Sequence, residues 1–468
     1  MKNYPHLMYE NLLNPKSIAI IGASIDEKKI GNVVLKNLIY YGYRGKIYPV
    51  NPKNDEILGL KVFNSIKDIN DEIDLAVITL PAHLVPDTVK ECAEKNVKYI
   101  IIIAGGFSET GKEGEELEKK ILDNIKGSST RVIGPNTVGV YLPRSNVSTA
   151  LTLPDRTALP GEGNLAFISQ SGALGLLTMD TISEYGIGVS AFINLGNRID
   201  LSETELLNYF KDDENTKSIV LYIETFKNGR DFFKKAKEIS SIKPIVVLKA
   251  GRTEAGIKAA SLHTGALATN DNIVEGALKQ AGVIRAYSET ELIDYGRVLG
   301  YQKPLYGNRI AIVTTAGGLG VITADYVSSE TNGVGLSIAK LSEETKKKLR
   351  EVIVPFGSVE NPVDLTAEGS TEQYDSVIEI LNHDENVDGL IVYALFQTAK
   401  VDENLIDVLD KHMKGKPMVV GILGSKFGKK MLLEAEKRKI PAFPSMERTV
   451  KAIKVLYMRG EYLKRRNE

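Results

Sequence analysis

The chain has 468 residues, a length that suggests about three domains, each with its own core. Lysine and arginine together number 59 against 60 acidic residues, and this balance lacks the basic surface that nucleic acid or an anionic membrane requires. With Cys92 as the one cysteine, an intrachain disulfide and a cysteine-rich metal site are excluded. Because no signal-like or bilayer-length apolar run is found either, we expect a cytoplasmic protein without a membrane segment.

Short apolar runs alternate with amphipathic segments along the chain, which predicts parallel β-sheets covered by helices on both faces. Breaks rich in turn residues at 142–163 and 302–308 indicate three α/β domains, at 1–142, 143–302 and 303–468. The predicted strands, in chain order, are Ser17–Ile21, Gly45–Val50, Leu75–Thr79, Tyr99–Ile103, Asn164–Ser169, Ser218–Ile223, Pro244–Lys249, Arg309–Thr314, Gly389–Tyr393 and Met418–Ile422.

The first predicted strand ends in a turn made of Gly22, Ala23 and Ser24, with Lys28 shortly after it. The spacing does not match Gly-x-Gly-x-x-Gly, but such a turn is suited to a diphosphate. After the second strand comes Lys53, where NAD would need an acidic residue. This favours a ligand with an additional phosphate, such as coenzyme A, although a solvated loop charge is the alternative for Lys53.

Two segments of the chain repeat one another. Leu165–Asp180 aligns without gaps on Ile310–Asp325, and each consists of a predicted strand, a hydroxyl-bearing turn and a glycine that begins a helix. Small residues there let an anion reach backbone N–H groups at the positive end of the helix dipole, although tight packing alone produces the same pattern. If the two domains pack pseudo-symmetrically, both helix starts would face one phosphate. The candidate phosphate-binding residues are Ser171, Gly172, Ala173, Gly317 and Gly318.

One of the five histidines, His263, lies among small residues that include Thr264 and Gly265. A phosphoryl or acyl group can approach such a side chain, and a glycine-jointed loop would let it move. The pattern therefore predicts a covalent catalyst, with a partly buried histidine that makes one hydrogen bond as the alternative. No two of the other histidines have metal-ligand spacing, so no metal site is predicted in this chain.

Six short motifs together carry a family resemblance. They are Gly22–Ser24, Gly134–Asn136, Ser169–Gly175, Lys249–Arg252, Ser261–Gly265 and Asn361–Leu365. With them the chain resembles, over nearly its whole length, the α subunit of ADP-forming acetyl-CoA synthetase (acetate–CoA ligase, ADP-forming), in the succinyl-CoA synthetase-like superfamily. The resemblance implies a Rossmann-like CoA-binding domain followed by two flavodoxin-like parallel-sheet domains.

The resemblance also implies roles for individual residues. His263 matches the family's phosphorylated histidine, and Glu224 matches the carboxylate that orients its imidazole; a surface carboxylate at a strand end is the alternative for Glu224. The residues expected to contact coenzyme A are Gly22, Ala23, Ser24, Lys28, Lys53, Pro81 and Asn136.

The implied reaction converts acyl-CoA, phosphate and ADP reversibly into a carboxylic acid, CoA and ATP, through an acyl phosphate and a phosphohistidine at His263. Neither a Walker-type motif nor a segment resembling the ATP-grasp nucleotide fold is found in the sequence. The resemblance therefore assigns ADP or ATP, with Mg²⁺, to an ATP-grasp β subunit in an α₂β₂ assembly. Residues 254–268 would then carry His263 between the two sites, with Gly251, Gly256 and Gly265 as hinges.

A non-catalytic module that senses CoA or acyl-CoA is the competing function. Such a module needs the first turn but not His263, Glu224 or the repeated glycine turns, so their joint presence favours the enzyme. A protein acetyltransferase built on the same core would need a further domain, for which the chain has no spare length.

Overall fold

The computed structural model describes residues 10–264, 270–330 and 335–467. Contacts divide the chain into two compact units, Met1–Tyr287 and Ser288–Glu468. Within the described residues, two large sheets belong to the first unit and one to the second, and pairing in all of them is mostly parallel. The three-part α/β fold class predicted from the sequence is confirmed.

The first sheet of unit 1 contains fully buried apolar strands, as expected where helices cover both faces. Its elements, with a small hairpin β3–β4, are β1 (Ser17–Ile21), α1 (Ile30–Tyr40), β2 (Lys46–Val50), β3 (Glu56–Ile57), β4 (Leu60–Lys61), β5 (Leu75–Ile78), α2 (Val85–Glu94), β6 (Tyr99–Ile102), α3 (Lys112–Ile125) and β7 (Arg131–Ile133). Helix α1 packs on one face, and α2 and α3 pack on the other. The strand order β2-β1-β5-β6-β7 reverses between β1 and β5, the switch point at which ligands of such folds bind.

The second sheet of unit 1 repeats this plan and adds an antiparallel edge. Its elements are β8 (Val140–Leu142), β9 (Val147–Ser148), β10 (Glu162–Ser169), α4 (Gly172–Glu184), β11 (Val189–Asn194), α5 (Glu203–Asp212), β12 (Ser218–Ile223), α6 (Gly229–Ile239), β13 (Ile245–Lys249), α7 (Glu254–Thr264), α8 (Asp271–Ala281) and β14 (Ile284–Ala286). The order is β14-β13-β12-β10-β11-β8-β9, so the switch point lies between β10 and β12.

A bridging segment, residues 196–201, ties the second sheet to the first. It follows β11 and runs along β7 and the residues after it. Three backbone N–H groups donate across this contact, from Asn197 to the Pro135 oxygen (2.9 Å), from Ile199 to the Gly134 oxygen (3.1 Å) and from Leu201 to the Val132 oxygen (3.1 Å). The Asp200 carboxylate accepts from Nε and Nη2 of Arg131, at 2.8 and 3.0 Å, and from the Val132 N–H at 2.8 Å.

Unit 2 begins with α9 (Glu289–Tyr301), which packs on the long C-terminal helix. The following elements are β15 (Arg309–Thr314), α10 (Gly317–Ser328), β16 (Ser337–Ile338), α11 (Glu343–Val352), β17 (Val363–Asp364), α12 (Thr371–Asn382), β18 (Gly389–Ala394), α13 (Leu405–His412), β19 (Met418–Ile422), α14 (Lys426–Lys437), β20 (Ala442–Phe443) and α15 (Met446–Asn467). The order β16-β15-β18-β19-β20, with β17 also paired to β15, again reverses next to the first strand of the sheet.

Each of the predicted strands is present, and β1, β12, β15 and β19 have the predicted bounds. Strand β11 was not predicted, although its sequence is strongly apolar, and neither were the short strands β3, β4, β7, β8, β9, β14, β16, β17 and β20. Among the described helices, none is both long and apolar enough to span a membrane. The domain boundaries at residues 142 and 302 stay predictions.

Asp200→Ala tests how much the bridging segment stabilises the first unit. The substitution leaves Arg131, whose side chain is 23% exposed, and the Val132 N–H without their shared acceptor, so we expect a loss of about 1–3 kcal/mol in the free energy of unfolding. Denaturant unfolding measures this loss. Lys235→Met, which breaks an exposed pair with Glu238, is the control and should cost at most about 0.5 kcal/mol. Equal effects would contradict the prediction.

Candidate functional site

Two edges of unit 1 hold most of the residues selected from its sequence. Because the carboxyl ends of parallel strands meet at one edge, the turns after β1, β2, β5 and β7 lie along the same side of the first sheet. The switch point between β1 and β5 brings Gly22–Ser24 next to the turn that contains Pro81. Lys53 follows the neighbouring strand β2 on one side, and Asn136 follows the edge strand β7 on the other.

The Gly22–Ser24 turn is held close to α1. Gly22 has a φ of +96°, and a Cβ on Gly31 would lie 2.1 Å from the Gly22 oxygen, so the helix and the turn approach at a distance that only glycine permits. The buried Asn32 donates from Nδ2 to the Ser24 oxygen at 2.7 Å, and its Oδ1 is buried without a hydrogen-bond partner. The sequence analysis did not select Asn32, because an asparagine within a helix is not distinctive by itself.

Charged and polar residues flank this turn. Lys28 and Lys53 are exposed, and the backbone N–H of Lys53 donates to Oδ1 of Asn51 at 2.8 Å. Pro81 is exposed and precedes a single 3₁₀ turn. Asn136 has a φ of +59° and donates from Nδ2 to Oδ1 of Asn197 at 3.4 Å. A glycine cradle with lysines nearby fits a ligand that carries several phosphates.

The second edge is organised by the side chain of Gln170, which follows β10. Its Oε1 accepts from the backbone N–H groups of Glu224 (2.8 Å) and Thr225 (3.1 Å), and its Nε2 donates to the Thr225 oxygen at 2.8 Å. One carboxamide therefore joins the turns on both sides of the switch point between β10 and β12. Glu224 is held at this point and is 8% exposed, so the surface position considered for it in the sequence analysis is excluded.

The start of α4 lies beside the Gln170 clamp, which is the set of three hydrogen bonds between the Gln170 carboxamide and the backbone of Glu224 and Thr225. Ser169 donates from Oγ to the Ser171 oxygen at 2.7 Å, and Ser171 caps the helix by accepting from the Leu174 N–H at 3.3 Å. The helix begins at Gly172, and Ala173 in its first turn is exposed. Since the first N–H groups of a helix have no partner within it, this turn suits an anion.

The repeated turn in unit 2 has the same backbone plan with different side chains. Thr314 donates from Oγ1 to the Ala316 oxygen at 3.2 Å, and α10 begins at Gly317. Ala316 provides no side-chain cap, whereas Oδ2 of Asp364 lies 3.1 Å from the position that a Cβ on Gly317 would take. Gly317 and Gly318 are exposed, but an anion here would have a carboxylate as neighbour.

A buried cation accompanies Glu224. Lys249, the last residue of β13, is 5% exposed and pairs in register with Ile223, the residue before Glu224. Burial lowers the pKa of Lys249 and the Arg285 guanidinium lowers it further, while Asp271 and Glu224 oppose the shift. Lys249 belongs to one of the six motifs but was not predicted as a site residue; its place at the end of an apolar strand is the sequence feature that marks it.

The side chain of His263 lies outside the described residues, as do the side chains of residues 260–264 generally and all of residues 265–269. The backbone of Glu254–Thr264 is helical, where the sequence analysis expected a glycine-jointed loop. The alanines and leucine of this stretch are good helix formers, which explains the difference. The pairing of His263 with Glu224 stays a prediction. Among the described residues, no group of three or more His, Cys, Asp or Glu side chains is arranged to hold a metal ion.

Three family models match successive parts of the chain. The CoA binding domain matches residues 16–143, the succinyl-CoA ligase like flavodoxin domain matches residues 162–299, and the ligase-CoA domain matches residues 310–459. The order of these models is the order of the three sheets along the chain.

Individual proteins match over nearly the whole chain. The acetate–CoA ligase [ADP-forming] I subunit alpha of Pyrococcus furiosus is 42% identical over 96% of this chain and 97% of its own. The acetate–CoA ligase [ADP-forming] of Methanocaldococcus jannaschii is 41% identical over 95% of this chain, which spans 62% of that longer protein. The Ca. Korarchaeum cryptofilum dinucleotide forming acetyl-coenzyme A synthetase 1, solved with phosphate and ADP, superposes with a TM-score of 0.90 at 34% identity, covering 98% of this chain and 99% of its own.

Lys249→Met tests the cost of the buried cation. Because the pKa of Lys249 is lowered below its ordinary value of about 10.4, the unfolded chain binds more protons than the native state in the window just below that value. The wild type should therefore gain stability relative to the variant as the pH rises from about 7 towards 10. Denaturant unfolding of both proteins across this range measures the difference, and a difference that does not change with pH would contradict the prediction.

Proposed function

Because the chain belongs to the family of ADP-forming acetate–CoA ligase α subunits, we propose that it carries the CoA and phosphoryl-transfer sites of an acyl-CoA-forming ligase. It is a ligase subunit. With its partner it converts acyl-CoA, phosphate and ADP reversibly into carboxylic acid, CoA and ATP. The observation that carries the proposal is the Gln170 clamp, which holds the Glu224 turn beside the start of α4.

Coenzyme A is assigned to the edge of the first sheet. The glycine cradle of Gly22 and Gly31 would receive its diphosphate, with Ala23 and Ser24 in the same turn. Lys28 and Lys53 are exposed and free to approach the ligand's phosphates, which carry several negative charges. Pro81 and Asn136 complete the assigned set, on the turns after β5 and β7.

Phosphate is assigned to Ser171, Gly172 and Ala173 at the N-terminus of α4. The helix dipole contributes about 0.3–2 kcal/mol to anion binding at such a position. Gly317 and Gly318 form the second assigned turn, on the basis of the repeat and of the equivalent helix start. The carboxylate of Asp364 makes that turn the weaker anion site of the two.

The chemistry proceeds in three transfers. A phosphate oxygen attacks the thioester carbonyl, the C–S bond breaks, and CoA leaves as a thiolate that is then protonated. Nε2 of His263 next attacks phosphorus, so that the P–O bond to the acyl group breaks and the carboxylate departs. Glu224 accepts a hydrogen bond from Nδ1 and stabilises the imidazolium. The P–N bond then breaks as the phosphoryl group passes to ADP.

The nucleotide step is assigned to a partner. Relatives of this chain carry the designation subunit alpha, and the longer Methanocaldococcus jannaschii relative has additional sequence beyond the matched part. We assign ADP or ATP, with Mg²⁺ on its phosphates, to an ATP-grasp β subunit in an α₂β₂ assembly, and we place the complex in the cytoplasm. A silent CoA-sensing module is not favoured, because the matching relatives are ligases.

His263→Ala tests the phosphohistidine. The purified chain is incubated with radiolabelled phosphate and acetyl-CoA, and the protein-bound label is tested for lability in acid. We expect acid-labile label in the wild type and none in the variant, since a phosphoramidate hydrolyses in acid whereas a serine ester does not. Glu224→Gln should retain the fold and reduce the labelling rate about 10²-fold or more, because the amide cannot stabilise the imidazolium.

The controls separate the alternatives. Label that persists in His263→Ala would contradict the phosphohistidine. If the wild type is unlabelled on its own, the experiment is repeated with the β subunit of a relative, and a chain that remains unlabelled while still binding CoA would support the sensing module instead.

Gly31→Ala tests the CoA assignment. The added methyl group would lie 2.1 Å from the Gly22 oxygen, so the turn must move away from α1. Loss of one or two hydrogen bonds to the diphosphate, at about 1–1.5 kcal/mol each, predicts CoA binding that is at least about fivefold weaker. Titration calorimetry measures the affinity. Gly276→Ala places a methyl group in open space within α8 and is the matched control. Unchanged CoA affinity in a folded Gly31→Ala protein would refute the assignment.

A further inference from the structure

The bridging segment, residues 196–201, contacts both edges that the proposed function uses. At its start, Gly196 has a φ of +55°, and a Cβ there would lie 2.2 Å from the Pro135 oxygen. The next residue, Asn197, accepts at Oδ1 from Nδ2 of Asn136 at 3.4 Å. Its own Nδ2 lies 2.6 Å from Oε2 of Glu109, to which it donates. The segment therefore lies directly against the turn assigned to CoA.

The side chain of Arg198, the next residue, makes its hydrogen bonds at the edge of the second sheet. Its side chain is 12% exposed, and its Nη1 donates to the Thr225 oxygen at 2.8 Å and to Oε2 of Glu203 at 3.0 Å. Its Nη2 donates to Oγ1 of Thr225 at 2.8 Å. The guanidinium thus holds both oxygens of the residue that follows Glu224, and the buried Glu203 balances its charge.

The backbone of Arg198 is itself held in place. It has a φ of +59°, a conformation that an arginine adopts only when its surroundings enforce it. Lys227 supplies part of this enforcement, because its Nζ donates to the oxygens of Arg198 (2.8 Å) and Ile199 (2.7 Å). The backbone conformation at Arg198 is therefore fixed, and in this conformation the guanidinium reaches Thr225.

Two side chains, those of Gln170 and Arg198, therefore hold the Glu224–Thr225 turn by hydrogen bonds. The Thr225 oxygen accepts from Nε2 of Gln170 and from Nη1 of Arg198, both at 2.8 Å. Gln170 follows strand β10 of the second sheet, whereas Arg198 lies in the bridging segment, which is hydrogen-bonded to the first sheet at β7. The arginine therefore connects the segment at the CoA edge directly to the turn that carries the carboxylate.

We propose that Arg198 is a positioning residue for phosphoryl transfer, which fixes Glu224 through Thr225 and links its orientation to the Asn136 turn through Asn197. The inference rests on the proposed function, because it concerns how Glu224 is presented to His263. A carboxylate stabilises an imidazolium only when its oxygen lies in line with Nδ1, so a small rotation of the turn reduces the rate.

Arg198→Lys is the decisive variant. Lysine keeps the positive charge beside Glu203, but a single ammonium group cannot reproduce the planar fork that contacts both oxygens of Thr225. The rate of acid-labile labelling from acetyl phosphate, which bypasses the thioester step, should fall about tenfold or more. CoA affinity should remain within about twofold of the wild type, since no assigned CoA contact is altered.

The pH profile distinguishes positioning from general structural support. A well-placed carboxylate raises the pKa of its histidine, so its displacement should move the acid limb of the pH–rate profile of labelling to lower pH in Arg198→Lys. Asp200→Ala is the matched control, because it loosens the same segment at β7 without altering a contact to Thr225. It should lower stability but leave both the labelling rate and the profile unchanged.

Each outcome decides the matter. A labelling rate and pH profile equal to those of the wild type would overturn this inference alone, and so would an equal loss in Asp200→Ala. An unlabelled wild type, even with the β subunit, would overturn the proposed function and this inference together. If Arg198→Lys does not fold, Thr225→Val replaces it: this variant removes the Oγ1 acceptor, and the same decrease in rate and shift of the profile are required.

Discussion

The hydrogen bonds of one carboxamide, that of Gln170, organise the second sheet's edge on which the rest of the site depends. Parallel strands end with backbone groups that no neighbouring strand satisfies, and at a switch point two such ends diverge. Gln170 accepts from two N–H groups and donates to one oxygen of the turn after β12. A glutamate could not donate, and an aliphatic side chain would remove the shared acceptor of both N–H groups, whereas the Thr225 oxygen would still accept from Arg198. The position of Glu224 follows directly from this bridge.

Buried charge surrounds this bridge on both sides. Burial lowers the pKa of Lys249 and the charges of Asp271 and Glu224 oppose that shift, while Arg198 is paired with the fully buried Glu203. Ion pairs of this kind contribute little net stability, because desolvation offsets most of their attraction. Their presence around a single turn is better explained by a role in orienting that turn than by a contribution to the stability of the fold. An apolar replacement at Lys249 would relieve a desolvation cost and would also remove a positive charge that interacts with Glu224.

The internal repeat shows how similar backbones acquire different chemistry. In both copies a hydroxyl at the strand end donates to the oxygen two residues later, and a helix begins at the following glycine. The copies then diverge. Ser171 caps the first helix, whereas Ala316, the residue before the second helix, provides no cap, and the carboxylate of Asp364 lies close to the first glycine of that helix. Backbone geometry alone therefore does not make the two turns equivalent anion sites.

The sequence by itself determined the alternation of strands and helices, the glycine turns and the family, because these depend on local periodicity and on short motifs. It missed β11, an apolar run that periodicity alone did not distinguish. Only the tertiary structure decided which turns meet, because strand order is a property of the whole sheet. Gln170 and Thr225 are 55 positions apart, and Arg198 and Thr225 are 27 apart. Nothing local marks Arg198 or Gln170 as special, since their partners are brought to them by the packing of distant segments.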